Sequence, residues 1–271
     1  MIHSVGIVGA GQMGSGIAYA FASKGYPVTL VDVSEDMLEK AKTYVAKTSE
    51  KRNESLIDIS YSTSFSDLTS TDLIIEAVPE NIDLKKMVFK EIQPYLKNSA
   101  ILATNTSSIS ISDLAAGTNC PERFLGIHFM NPVPLMKLVE IIPGSKTDSA
   151  AILKIDDVIK KLDKVIVHSK DVPGFIVNRI LMPMINEAII TLDQGVASAK
   201  DIDAAMKFGT NQPMGPLALA DLIGLDTCLS IMQVLHNGLQ DSKYAPCPLL
   251  ERYVSEGRLG RKTKKGFYDY T

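Results

Sequence analysis

Glycines stand at the first, third and sixth positions of Gly9-Ala10-Gly11-Gln12-Met13-Gly14, and Asp32 lies 18 residues beyond the last of them. This spacing suits a phosphate-bearing ligand. Gly9 permits a tight turn, Gly11 lets the backbone approach a pyrophosphate with no Cβ in the way, and Gly14 lets a helix pack close to a strand. Ala10, Gln12 and Met13 complete the loop and open the helix, whose first-turn N–H groups and positive dipole end attract anions. A carboxylate about 20 residues further on accepts hydrogen bonds from ribose hydroxyls and repels a 2′-phosphate. Asp32 is that carboxylate, and Val33 and Ser34 offer no offsetting cation. NAD is therefore expected over NADP. A glycine turn that binds nothing is the plain alternative, which a strand before, a helix after and an acid beyond all disfavour.

A second group could move protons. His128 ends an apolar stretch, Phe124–Phe129, and Glu140 sits among Leu138, Val139, Ile141 and Ile142. A glutamate with such neighbours is costly to bury without a partner. An imidazole would satisfy it, and the carboxylate would hold one tautomer of the ring. The bland readings are a structural strand histidine and a surface carboxylate on an edge strand. Asn105, Ser107 and Ser108 follow the apolar stretch Ala100–Thr104. They are placed to bond a ligand; an ST-turn, or a cap for a short helix near Ile111–Ala115, explains them equally well. No HxxxH, Cys–His cluster or dense carboxylate group has metal-ligand spacing, so no metal is expected. The absence of GxSxG argues against a Ser–His hydrolase. A bound nicotinamide beside a general-base histidine is the simplest chemistry left.

The elements needed to position these groups are legible as a pattern. Ile2–Val8, Val28–Val31, Asp72–Val78, Ala100–Thr104, Phe124–Phe129, Lys137–Ile142 and Val165–Val167 read as strands. Gln12–Lys24, a segment beginning near Glu35 with Ser34 as N-cap, and Leu84–Leu96 read as helices. Residues 47–70 are polar and read as connecting structure with a weak strand near Leu56–Ile59. Beyond residue 174 no strand is expected: Phe175–Asp193, Ala199–Phe208, Leu217–Leu239 and Leu249–Glu256 read as helices. The expected class is α/β: a Rossmann-like, mostly parallel sheet domain over 1–171, then a smaller all-α domain over 172–271. Carboxyl ends of parallel strands face the ligand crevice, so Ser107 and His128 share one rim.

Composition sets the broad limits. The 271 residues are 45% hydrophobic and 22% charged, with 28 basic and 31 acidic side chains and three scattered cysteines. That is globular, mildly acidic and unlike a nucleic-acid or membrane-surface binder. The missing CxxC and disulfide framework favour a reducing compartment. With no long apolar run and no leader-like start, the expectation is a cytoplasmic protein.

Six blocks in order carry a resemblance over nearly the whole chain. They are Gly9–Gly14, Asn105–Ser108, Gly126–Pro132 with Met136–Glu140, Pro173–Arg179, Met214–Pro216, and Leu259–Thr263 with Gly266–Tyr268. The chain resembles the short-chain 3-hydroxyacyl-CoA dehydrogenases, in particular the bacterial 3-hydroxybutyryl-CoA dehydrogenases. The resemblance implies oxidation of an (S)-3-hydroxyacyl-CoA by NAD. It implies that His128 is the base, Glu140 its partner, Ser107 the serine on the substrate oxygen, and Asn178 an asparagine at the acyl-CoA carbonyl. It makes Glu80, Lys85, Asn105, Asn131 and Lys262 cofactor-contacting positions, although most of Arg258–Lys265 reads equally as a solvated charge run. It implies a homodimer or higher homo-oligomer built through the helical domain. Relatives carry a longer helical hairpin near 47–70 that helps bind CoA, and this chain looks shortened there. A dehydrogenase of a free hydroxy acid or polyol, or a non-catalytic NAD-binding protein, are the competing readings.

Overall fold

The strand-like segments assemble into one eight-stranded sheet in the first of two compact units, Met1–Val172 and Pro173–Thr271. The structure is a computed structural model and describes residues 1–54 and 57–271. In chain order the first unit runs β1 (Val5–Val8), α1 (Gln12–Ala22), β2 (Val28–Val31), α2 (Glu35–Lys51), β3 (Ser60–Ser62), β4 (Leu73–Glu76) and α3 (Ile82–Ile92). It continues with β5 (Ile101–Thr104), α4 (Ile111–Ala115), β6 (Phe124–Phe129), β7 (Leu138–Pro143), α5 (Ser149–Lys161) and β8 (Val165–His168). The strand order is β3-β2-β1-β4-β5-β6-β7-β8, and among these pairs only β6 with β7 is antiparallel. Order reverses beside β1, where β2 lies on one side and β4 on the other. In an open α/β sheet a ligand crevice opens beyond the carboxyl ends at such a reversal.

Burial explains why these segments became strands. β1, β4, β5 and β6 are buried at every position, as short, fully covered parallel strands must be. Helix starts obey local chemistry: the side chains of Ser34, Asn81 and Ser110 accept from Met37, Leu84 and Asp113 backbone N–H groups at the starts of α2, α3 and α4.

Several boundaries differ from the sequence reading. The first strand begins at Val5, so His3 precedes it and donates its N–H to the Asp72 carboxylate. The helix after Ser34 continues through residues 47–51, because Val45 and Ser49 extend the buried stripe of Leu38 and Ala41. The strand in the polar segment is Ser60–Ser62, paired with Thr29–Val31. It is an edge strand with little burial, which is why apolar pattern pointed instead to Leu56–Ile59; Ser55 and Leu56 lie outside the described residues. A single helix, and not a hairpin, thus stands between β2 and β3 among the described residues.

The second unit contains α6 (Val177–Asp193), α7 (Ala199–Gly209), α8 (Pro216–Ile223), α9 (Leu225–Leu239) and α10 (Pro248–Ser255). The stretch expected as one helix over Leu217–Leu239 is two, bent by 98° at Gly224. Gly224 has φ +104°, which ends α8 and turns the chain. Two buried acids tie this unit together. Asp203 accepts from Leu217 N (2.8 Å), Ala218 N (2.9 Å) and the Tyr268 hydroxyl (2.7 Å). Asp221 accepts from Phe267 N (2.9 Å), Tyr268 N (3.0 Å) and the Tyr270 hydroxyl (2.9 Å).

Candidate active site

The glycine loop emerges from β1 at the sheet reversal. Gly9 has φ +102°, a conformation that costs a side-chain-bearing residue. A Cβ on Gly14 would collide with the Gly9 carbonyl oxygen, so only glycine lets α1 start so close to the strand. A Cβ on Gly11 would meet no protein atom within 4 Å, so packing does not require glycine there. Gly11 is the N-cap of α1 and makes no side-chain capping bond. Gln12 and Met13 line the crevice, and the N–H groups of a helix's first turn are the unpaired donors that suit an anion. Asp32 Oδ2 accepts from Ala10 N (2.7 Å) and Oδ1 from Ser34 N (2.9 Å). Each oxygen keeps a further lone pair for a ribose hydroxyl. A crevice of about 520 Å³ runs along this loop, Asp32, Ala77–Glu80, Asn105 and Ser107. These residues fit a dinucleotide.

His128 and Glu140 connect to this crevice through Ser107. His128 on β6 and Glu140 on β7 are directly opposed in the antiparallel register. Opposed residues in such a pair project from the same face. Nδ1 of His128 lies 2.7 Å from Glu140 Oε2, with His128 5% exposed and Glu140 0%. A buried carboxylate acceptor at Nδ1 assigns the proton to that nitrogen and leaves Nε2 to accept. Nε2 is 3.2 Å from the Ser107 hydroxyl, and Ser107 lines the crevice. Ser110 caps α4, so Ser107 and Ser108 do not serve that purpose. Thr106 does form an ST-turn: its Oγ1 accepts from Ser108 N and Ile109 N. Asn105 Oδ1 accepts from Phe129 N (2.9 Å) and joins the two strand ends.

The remaining expected site residues are placed as follows. Glu80 lies at the crevice and receives the donors of Thr106, Ser107 and Ser108. Lys85 is 1% exposed, with its ammonium on Glu76 (2.7 Å) and the Val78 carbonyl (3.1 Å). Asn131 is exposed just after β6. Asn178 and Lys262 belong to the second unit: Asn178 is buried in the first turn of α6, and Lys262 pairs with Asp226. One residue escaped the sequence reading. Glu76, fully buried at the end of β4, accepts from Lys85, Val78 N and the Thr104 hydroxyl. An acid closing an apolar strand is the same signal that singled out Glu140. Burial raises the Glu76 carboxyl above its ordinary range, against the opposing pull of Lys85.

Residues 4–172 match the model of the 3-hydroxyacyl-CoA dehydrogenase NAD binding domain, and residues 174–270 match that of the C-terminal domain of the same enzymes. The chain belongs to the 3-hydroxyacyl-CoA dehydrogenase family. It is 53% identical to the 3-hydroxybutyryl-CoA dehydrogenase of Bradyrhizobium diazoefficiens, over all of this chain and 96% of that protein. It is 49% identical to a probable 3-hydroxybutyryl-CoA dehydrogenase of Bacillus subtilis, over 99% of this chain and 98% of that one. It superimposes on the crystal structure of (S)-3-hydroxybutyryl-CoA dehydrogenase from Ralstonia eutropha with a TM-score of 0.96 at 47% identity, covering both chains completely. This 3-hydroxyacyl-CoA dehydrogenase family member is thus an NAD-dependent oxidoreductase, and the glycine loop and Asp32 lie within the residues that match the NAD binding domain.

Proposed function

We propose that the protein interconverts (S)-3-hydroxyacyl-CoA and 3-oxoacyl-CoA with NAD, acting on short chains such as 3-hydroxybutyryl-CoA in fatty-acid or butanoate metabolism. The pairing of His128 with Glu140, with Nε2 turned to Ser107 at the crevice, carries this reading. The chain length and stereochemistry follow the names of its relatives. NAD, when bound along Gly9–Gly14 and Asp32, supplies the hydride acceptor.

In the oxidative direction Nε2 of His128 takes the 3-hydroxyl proton as the C3–O bond becomes a carbonyl. Glu140 holds the ring by its Nδ1–H and offsets the positive charge that forms on it. Ser107 donates its hydroxyl to the substrate oxygen, which favours the carbonyl as charge develops. Asn178 is assigned to the thioester carbonyl. Asn105, Asn131, Glu80, Lys85 and Lys262 are assigned to the cofactor side by the family pattern, with Lys85 acting through Glu80 from its buried place. The helical unit exposes Ile180, Val196 and Phe208, apolar surface that supports self-association.

NADH oxidation with acetoacetyl-CoA, free acetoacetate and longer 3-oxoacyl-CoA thioesters tests this, with NADPH as a parallel arm. Acetoacetyl-CoA with NADH is expected to turn over at least ~10-fold faster than free acetoacetate or NADPH, a difference of about 1.4 kcal/mol in transition-state binding. Equal rates with free acetoacetate would replace the thioester reading by that of a hydroxy-acid dehydrogenase. NADH binding without any oxidation would point to a non-catalytic protein.

A further inference from the structure

One carboxylate oxygen at the crevice carries an unusual load. Oε1 of Glu80 lies 2.6 Å from the Thr106 hydroxyl, 2.9 Å from Ser107 N, 3.0 Å from Ser108 N and 2.9 Å from the Ser108 hydroxyl. Four donors from three consecutive residues converge on it. A neutral carbonyl oxygen has two lone pairs; a full negative charge is what sustains four donors, each bond being charge-assisted. The charge is itself supported from below. Lys85 Nζ stands 3.5 Å from Glu80 Oε2 and 2.7 Å from Glu76 Oε1, and Glu76 Oε2 accepts from Thr104 on β5. Burial by itself would raise the Glu80 carboxyl, but the Lys85 charge and the donors of Thr106, Ser108 and Ser107 outweigh it and hold Glu80 below the ordinary carboxylate range.

The chain of contacts therefore runs from the ends of β4 and β5, through Glu76 and Lys85, to Glu80, and from Glu80 to the loop that carries Ser107. The Ser107 hydroxyl in turn sits 3.2 Å from Nε2 of His128. We propose that Glu80 is a positioning residue for Ser107: it grips the Thr106–Ser108 backbone and hydroxyls, and so sets where the serine hydroxyl stands against the His128 base. This rests on the dehydrogenase reading above and adds to it a function for Glu80 besides any contact with the cofactor. Misplacing a donor by about 1 Å costs on the order of 100-fold in rate, so a loosened grip has a measurable consequence.

The test is a double-mutant cycle in the full-length protein with Glu80→Gln, Ser107→Ala and the pair, reading kcat and KM for acetoacetyl-CoA, NADH affinity by fluorescence and Tm. Glutamine keeps the shape and removes the charge. E80Q is expected to lower kcat at saturating NADH at least ~10-fold, by a larger factor than any rise its cofactor contact causes in the NADH Kd. In the S107A background the same change is expected to cost less than about threefold, because a residue acting through Ser107 has nothing further to lose. Multiplicative losses, or an NADH Kd that rises in step with the fall in kcat, overturn the proposal in favour of a plain structural or cofactor-contact role. If E80Q does not fold, Ser108→Ala removes one hydroxyl donor, leaves the carboxylate in place and enters the same cycle with the same expectation at several-fold size. Amide hydrogen exchange reads the grip without any substrate. Ser107 and Ser108 N–H groups are expected to exchange at least ~10-fold faster in E80Q, and unchanged exchange overturns the grip even if the wild-type protein proves inactive on acyl-CoA.

Discussion

At the scale of single residues, the site depends on where one proton resides. Glu140 accepts from Nδ1 of His128, so the ring presents Nε2 to the Ser107 hydroxyl. A glutamine at position 128 keeps polarity and approximate size but cannot act as a base. His128→Gln is expected to lose at least ~100-fold in acetoacetyl-CoA turnover, the usual size of general-base catalysis, with NADH titration unchanged. Normal turnover would remove His128 from the mechanism. Asp32 makes a second residue-scale argument. Its carboxylate already orders Ala10 N and Ser34 N, and its charge opposes a 2′-phosphate. Asp32→Asn is expected to raise the NADH Kd and to narrow the NADH-to-NADPH preference at least ~5-fold in parallel kinetics, since two like charges about 4 Å apart repel by about 1 kcal/mol even in bulk water. An unchanged preference would place discrimination elsewhere.

At the scale of elements, the glycines of the loop differ in what a side chain would meet. A Cβ at Gly14 strikes the Gly9 carbonyl oxygen, whereas one at Gly11 meets open space. Gly11→Ala is therefore expected to cost at most about 1 kcal/mol of stability, as an N-cap change, while NADH affinity falls at least ~10-fold. Gly14→Ala is expected to lower Tm sharply by driving α1 away from β1. Equal losses of affinity and stability in both variants would contradict this division. The antiparallel step between β6 and β7 is the other element that matters, because it sets His128 directly against Glu140. Sequence pattern located both strands and both residues. It could not supply their register, because pairing depends on which strands become neighbours. The same limit explains α2, whose last turn is polar in sequence yet buries Ser49, and Gly224, an isolated glycine in an apolar run that becomes a 98° corner.

For the molecule as a whole, one carboxylate links distant parts of the first unit and makes its stability depend on acid. Asp72 accepts from His3 N (2.8 Å) and Ser4 N (3.2 Å) and pairs with Lys97 at 2.8 Å. Burial alone would raise it; the Lys97 ammonium and the two N–H donors outweigh burial and bring it down to about 2. A carboxyl lowered in the folded state adds stability above its unfolded value of about 4, and that stability is lost as pH falls from there through the folded value. Acid unfolding of the wild type is expected to show this loss between about pH 4 and 2, and Asp72→Asn to flatten that limb while lowering Tm at neutral pH. A variant with the wild-type acid profile would show that Asp72 has no such part. The proposed self-association belongs to the second unit. Phe208 is 83% exposed, and light scattering is expected to give at least twice the monomer mass, shifting toward monomer in Phe208→Glu. A wild-type monomer would exclude self-association.

The sequence by itself determined the nucleotide loop, the succession of strands and helices, and the candidacy of His128, Glu140 and Ser107, because these follow from local spacing and from the cost of placing acids in apolar stretches. Only the tertiary structure decided that Glu140 faces His128 across one register, that Lys85 lies buried on Glu76, and that Glu80 gathers four donors from the Ser107 loop. Those are contacts between residues from about 9 to 28 positions apart. Their partners are chosen by how the strands stack, which no local rule of composition or period contains.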